Sequence, residues 1–233
     1  MGAGPDHGGI QMKQRLLASL FGLAGVLAAG SALAAEDDKV GLDLGLRLGY
    51  ALPMGSLQKD VTMSDYITGQ VPIWVDAGYR FTPNIMAGLY FQYGFAFVNS
   101  DKCPSPASCS AHDMRLGIQG QYKVSPGESV DPWFGLGVGL EWLGTSTDVS
   151  GQSMSSTGNG LEFLNLQGGA DFNVTDGLDV GPFLSFSLGQ FNSYSYDCSS
   201  ALKASGLCGP GGDIKDKALH EWLTIGVRGV YGL

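Results

Sequence analysis

Past its N-terminal segment the chain offers two imidazoles, His112 and His220, as bases able to work near neutral pH. A hydrolase or acyltransferase would need one of them within reach of a hydroxyl and steadied by a carboxylate. His112 with Ser146, and with Asp148 or Glu162 as a distant acid, is the combination the spacing allows. Serine crowds these segments, so a hydroxyl near His112 is expected from composition alone, and no catalytic residue is assigned. The cysteines fall in two close-spaced pairs, Cys103 with Cys109 and Cys198 with Cys208. Neither spacing is C-x-x-C, and His112 is the imidazole nearest to them in sequence, which points away from a metal site. Four cysteines allow three connectivities; bridges within each pair close small rings and are the expected ones. Gly135-Leu136-Gly137-Val138-Gly139 imitates part of a phosphate-cradling fingerprint, yet no helical pattern follows it, so no cofactor is expected. A third group of residues suits ion pairing: Asp43, Asp76, Asp113, Glu141, Asp171 and Asp179 against Arg47, Arg80, Arg115, Lys123 and Arg228.

The elements that carry these residues are strands. Val40, Leu42, Leu44, Leu46, Leu48, Tyr50 and Leu52 alternate with Gly41, Asp43, Gly45, Arg47, Gly49 and Ala51, a period of two that no helix produces. The same alternation returns seven times. Trp74, Asp76 and Arg80 share the polar face of the second strand, and Met86, Tyr90 and Gln92 that of the third. Asp113, Arg115, Gln119, Gln121 and Lys123 mark the fourth, Glu141 and three glycines the fifth, and Asn165, Gln167, Asp171 and Asn173 the sixth. Asp179, Phe183, Ser185 and Ser187 follow in the seventh, with His220, Trp222, Thr224 and Arg228 in the eighth. Short turns at 82–84, 125–131 and 175–177 alternate with long loops at 53–70, 99–111, 144–160 and 190–218. An even number of strands with short turns at one end and long loops at the other describes an antiparallel up-and-down barrel that crosses a membrane.

Composition agrees. Only 15% of residues are charged, against about a quarter in a soluble domain. A net charge of -9 argues against gripping nucleic acid. Past the N-terminus no apolar run approaches the roughly 20 residues of a membrane helix. A water-facing polar face would be rich in lysine, and here Lys123 is its one lysine. The polar face therefore lines the lumen. The apolar face, with Tyr50, Tyr79, Phe81, Phe95, Phe97, Trp142 and Tyr231 toward strand ends, meets lipid. Met12-Lys13-Gln14-Arg15, an apolar stretch over 16–29 and small residues up to Ala35 read as a secretory signal cleaved after Ala34 or Ala35. Residues 1–35 are then an upstream extension plus signal, with Met12 as the start, and 36–233 the barrel.

Two local expectations follow. Symmetric pairing of the first two strands about their loop sets Asp43 opposite Arg80 and Arg47 opposite Asp76, and closure brings Arg228 near Asp43. Between strands six and seven, equal parity on both sides of the turn calls for Val174 opposite Leu178 and a three-residue loop with positive φ at Gly177.

In its eight alternating strands, loop asymmetry and charged interior the chain resembles the eight-stranded outer-membrane barrels of Gram-negative bacteria, the class of the membrane domain of outer membrane protein A and its small relatives. It departs from the aromatic last residue common in that class, ending Val230-Tyr231-Gly232-Leu233. No peptidoglycan-binding domain is expected beside the barrel. The resemblance implies periplasmic termini, delivery by the outer-membrane assembly machinery, and contact with outer-membrane lipid and lipopolysaccharide. It is porin-like in its wall and not in its bore, since eight strands leave room for little beyond side chains. The function expected is non-enzymatic: a plugged barrel that supports the envelope or offers its four loops for surface contact. A narrow conduit for small apolar molecules is the alternative, and a lipid A-modifying enzyme the third reading.

Overall fold

The computed structural model describes residues 40–233 apart from 104 and 207, so the signal expected over 1–35 lies outside the described residues. Eight long strands carry the chain: β1 (Gly41–Gln58), β2 (Ile67–Arg80), β3 (Ile85–Val98), β4 (Ser108–Lys123), β5 (Val130–Val149), β6 (Gln152–Thr175), β7 (Leu178–Cys198) and β8 (His220–Gly232). Each pairs antiparallel with its neighbours in the chain, and β8 pairs with both β7 and β1. The ladder therefore closes on itself and leaves the long strands no free edge.

Exposure decides which face is inside. Outward-facing Ile225 and Ile118 are 66% and 59% exposed, whereas Arg47 and Asp113 are fully buried. A soluble barrel would show the reverse. This inversion, sustained around the ring, is what a lipid-facing wall requires.

The strands reach further than the alternation alone suggested. β5 and β6 run to Val149 and from Gln152, so the loop expected over 144–160 is a hairpin turning at Ser150–Gly151. β7 likewise continues to Cys198. Beyond it lie a short helix α1 (Ser200–Ala204) and a two-residue strand, Gly212–Asp213, paired with β7.

Two pairings differ from expectation. Asp43 faces Gly78 and Arg47 faces Trp74, with Arg80 opposite Gly41. The cause is that β1 continues to Gln58 and the chain turns at Lys59–Asp60, before the midpoint of 53–70, where Asp60 takes φ 62°. The ladder slides by two residues, an even slip that leaves every side chain on its own face. Between β6 and β7, Thr175 faces Leu178, so the loop has two residues and the expected Val174–Leu178 pair does not form. The parity conflict is absorbed by a bulge between Asn173 and Thr175, below which Phe172 faces Val180 on the outer wall. Gly177 has the expected positive φ, 88°.

An apolar cluster of Ala51, Met63, Ile67, Ala111, Leu143, Phe191 and Trp222 occupies the long-loop end of the lumen. Met63 reaches it from a 3-10 turn at Met63–Asp65 and is completely buried.

Candidate functional site

Below that apolar cluster the lumen is filled by hydrogen-bonded charges, and the strand parity that makes the barrel also aims them inward. At the middle level Arg47 donates Nε to Asp76 at 2.6 Å, Nη2 to Asp76 and Gln119 at 2.9 and 3.0 Å, and Nη1 to Gln167 at 2.7 Å. Gln119 returns a bond to Asp76 at 2.8 Å. Trp74, Trp133 and Phe183 pack around the guanidinium at 5.0–5.7 Å from its carbon to the ring centroids. Such contacts let a cation remain among aromatic faces that would otherwise only desolvate it.

Toward the long loops Arg115 takes the corresponding role. It donates to Glu141 at 3.1 Å, Glu162 at 3.2 Å and Ser187 at 2.8 Å. Asp113 stands 3.1 Å from its Nε and accepts from Gln70 and Gln92. Glu141 also accepts from Trp222 at 3.1 Å and shares a 2.6 Å hydrogen bond with His220, whose ring stacks on Phe191. Tyr90 donates to Glu162, as does Asn165 at 2.8 Å.

Between the middle level and the short-turn end Arg228 donates Nε to Asp171 at 2.8 Å and Nη1 to Gln121 at 2.9 Å, and its guanidinium lies 3.4 Å over Trp133. Lys123 donates to Asp179 at 2.8 Å and lies 3.4 Å from both Asp131 and Asp171. Arg80 grips Asp43 at 2.7 and 3.0 Å. Arg228 thus meets Asp171, not Asp43, because β8 sets it opposite Arg47, toward the centre of the barrel, while Asp43 faces Gly232.

The eleven charges read from the sequence all lie in these levels. Arg47 reaches Asp76 and Arg80 reaches Asp43 as diagonals, across a register two residues from the one expected. Two lumen carboxylates escaped the sequence reading. Glu162 has the parity of the outward Leu164 and Leu166, but a bulge between Glu162 and Leu164 reverses the alternation and turns it inward. The adjacent apolar residues Phe163-Leu164 are the signal that could have revealed it. Asp131 sits inside the 125–131 turn as read from the sequence, and is the second residue of β5.

Glu162 is therefore held in the lumen by Tyr90 and Arg115. His112 stacks flat on Tyr93 across from Gly144, and Ser146 Oγ is bonded to Ser155 Oγ at 3.0 Å. The three are not gathered into one site. Disulfides join Cys103 to Cys109 and Cys198 to Cys208, each within its own loop region.

A family model described as outer membrane protein beta-barrel domain matches residues 21–206. Solved structures with a similar fold include Neisserial surface protein A, 16% identical over 82% of this chain and 97% of that one, TM-score 0.45. OprG from Pseudomonas aeruginosa is 14% identical over 84% and 100% of the two chains, TM-score 0.45. Ail, the attachment invasion locus protein of Yersinia pestis, is 13% identical over 81% and 98%, TM-score 0.43. No curated protein sequence matches the chain.

Proposed function

Because the chain belongs to the family of outer membrane protein β-barrel domains, we propose that it serves in the bacterial outer membrane as a closed, non-enzymatic barrel whose working surfaces are its wall and its outer loops. Both termini face the periplasm in this reading, which puts the turns at 81–84, 124–129 and 176–177 inside and Met63, the disulfides and the β5–β6 hairpin outside. The carrying observation is the filled lumen. Arg47, Arg115 and Arg228 each bridge strands from different sides of the ring, and Met63, Ile67 and Trp222 close the outer mouth. A bore occupied by charge-assisted bonds offers neither a water file nor an apolar path. What remains for contact is the outside: a barrel is a rigid scaffold, and loops on such a scaffold, two of them bridged by disulfides, present a surface for contact.

The test is a pair of measurements on the full chain. An epitope tag inserted between Ser150 and Gly151 should be reached by antibody on intact cells. Proteoliposomes holding the protein should swell in arabinose no faster than empty ones. Rapid swelling would show an open aqueous bore and overturn the filled lumen, and a tag exposed only after permeabilisation would reverse the orientation.

A further inference from the structure

Above the apolar cap the inner face of the barrel continues up β5, β6 and β7. Leu143, a residue of the cap, shares its row with Gly158 and Tyr194. The next row is Thr145, Ser156 and Tyr196, and the one beyond it Thr147, Met154 and Cys198. Cross-strand partners share a face, so all three rows look the way Leu143 does, across the mouth and away from the bilayer. Tyr196 and Met154 are 36% and 37% exposed there, and the Tyr194 and Tyr196 rings meet edge to face at 5.3 Å. The loop that passes these rings does so on glycine: Gly209 lies beside the Tyr196 ring and Gly212 beside the Tyr194 hydroxyl, neither with a side chain to cover them.

The two faces of these strands use their hydroxyls differently. On the outer face Ser146 and Ser155 bond each other at 3.0 Å. On the inner face Thr147 donates to Cys109 Sγ at 3.8 Å, while Thr145, Ser156, Tyr194 and Tyr196 make no side-chain hydrogen bond among the described residues. Groups that both donate and accept therefore surround two partly open aromatic rings. None of the side chains in the three rows on these strands is charged. Asp113 continues the lowest row onto β4, but it is fully buried against Arg115. Asp197 has the opposite parity, so its 2.7 Å pair with Lys203 belongs to the outer face.

We infer that this inner face binds a neutral oligosaccharide from the medium, with a sugar ring stacked on Tyr196 and hydrogen bonds exchanged with Thr145, Ser156 and the tyrosine hydroxyls. The site rests on the outward exposure of the loops proposed above and names the partner they take. Size, polarity and direction select it. Two strand spacings by four residues make a field of about 10 by 13 Å, far short of the roughly 800 Å² that each side of a protein complex covers. An apolar ligand would bury the hydroxyls without partners. An anionic one calls for arginine or lysine on the same face. A sugar offers an apolar ring face to tyrosine and hydroxyls to the serine and threonines. A face turned from the bilayer takes its ligand from the medium, not from lipid.

The full barrel, held in lauryldimethylamine oxide micelles so that no sugar detergent competes, is applied to an array of neutral, sialylated and sulfated oligosaccharides. The neutral glycan that gives the strongest signal is then titrated by calorimetry. Neutral glycans should be retained, and sialylation or sulfation of the same chain should weaken retention. Tyr196→Ala should weaken binding about tenfold, and Thr145→Val with Ser156→Ala by a similar factor, the loss expected of one or two net hydrogen bonds or one ring contact. Ser146→Ala with Ser155→Ala, on the outer face, should leave it unchanged, and heat-modifiable gel migration checks that each variant is folded. Retention of no neutral glycan, stronger retention of the anionic ones, or a Tyr196→Ala affinity equal to that of the wild type overturns the inference. Binding in micelles does not depend on orientation, which the tag at 150–151 reports on cells, so a failure of that reading is told apart from a failure of the site.

Discussion

Arg47→Ala is the sharpest perturbation of the lumen. The guanidinium is fully buried, makes four hydrogen bonds to Asp76, Gln119 and Gln167, and is packed by three aromatic rings. Its removal leaves Asp76 with the single bond from Gln119 Nε2 and no direct ion pair among those described. Breaking a buried pair from one side costs roughly 3 to 5 kcal/mol, because the surviving charge stays desolvated. About 4 kcal/mol is nearly a thousandfold in the folding equilibrium. With a urea slope of about 2 kcal/mol/M the midpoint should fall by about 2 M. Urea unfolding in detergent micelles, followed by tryptophan fluorescence, measures it. The double variant Arg47→Ala/Asp76→Ala should regain part of the loss, since no unpaired charge then remains inside. Lys203→Ala, at an exposed pair with Asp197, should leave the midpoint almost unmoved. An Arg47→Ala midpoint equal to that of Lys203→Ala, or strict additivity in the double variant, would refute the reasoning.

Other perturbations separate the parts of the barrel. Gly177→Val should cost about 1 to 2 kcal/mol through its φ of 88°, and Gly177→Asn distinctly less, by the same unfolding assay. Removing the outer bridge with Cys198→Ser/Cys208→Ser should leave the barrel midpoint in place and open residues 199–211 to protease, read by mass spectrometry of the nicked chain. Met63→Asp should drive the apolar cap apart and expose Trp222 to iodide quenching, because an unpaired carboxylate cannot remain among Ile67, Leu143 and Phe191. Unchanged quenching would show that the cap is not held by Met63.

The barrel was legible because a period of two survives any even slip of register. Arg47 and Asp76 could be paired without knowing that the ladder sits two residues away, since diagonal neighbours on one face still lie within reach of a long side chain. Odd events were the blind spot. The bulge at Phe163–Leu164 sent Glu162 inward against its parity, and that beside Val174 let Thr175 face Leu178 while both strands kept their faces. Strand ends were equally hidden: serine, threonine and glycine over 144–160 read as loop, yet cross-strand bonds such as Ser146 to Ser155 carry β5 and β6 onward as a ladder. Met63 gave no sign of its place, because a buried methionine in a turn leaves no periodic trace.

The filled lumen is tested most directly by single-channel recording across a planar bilayer. The wild type should show no stepwise current in molar potassium chloride at either polarity, and Met63→Asp, which disturbs the apolar cap but leaves the Arg47 and Arg228 levels filled, should stay closed as well. Discrete openings from the wild-type protein would contradict a barrel closed by Arg47, Arg115 and Arg228.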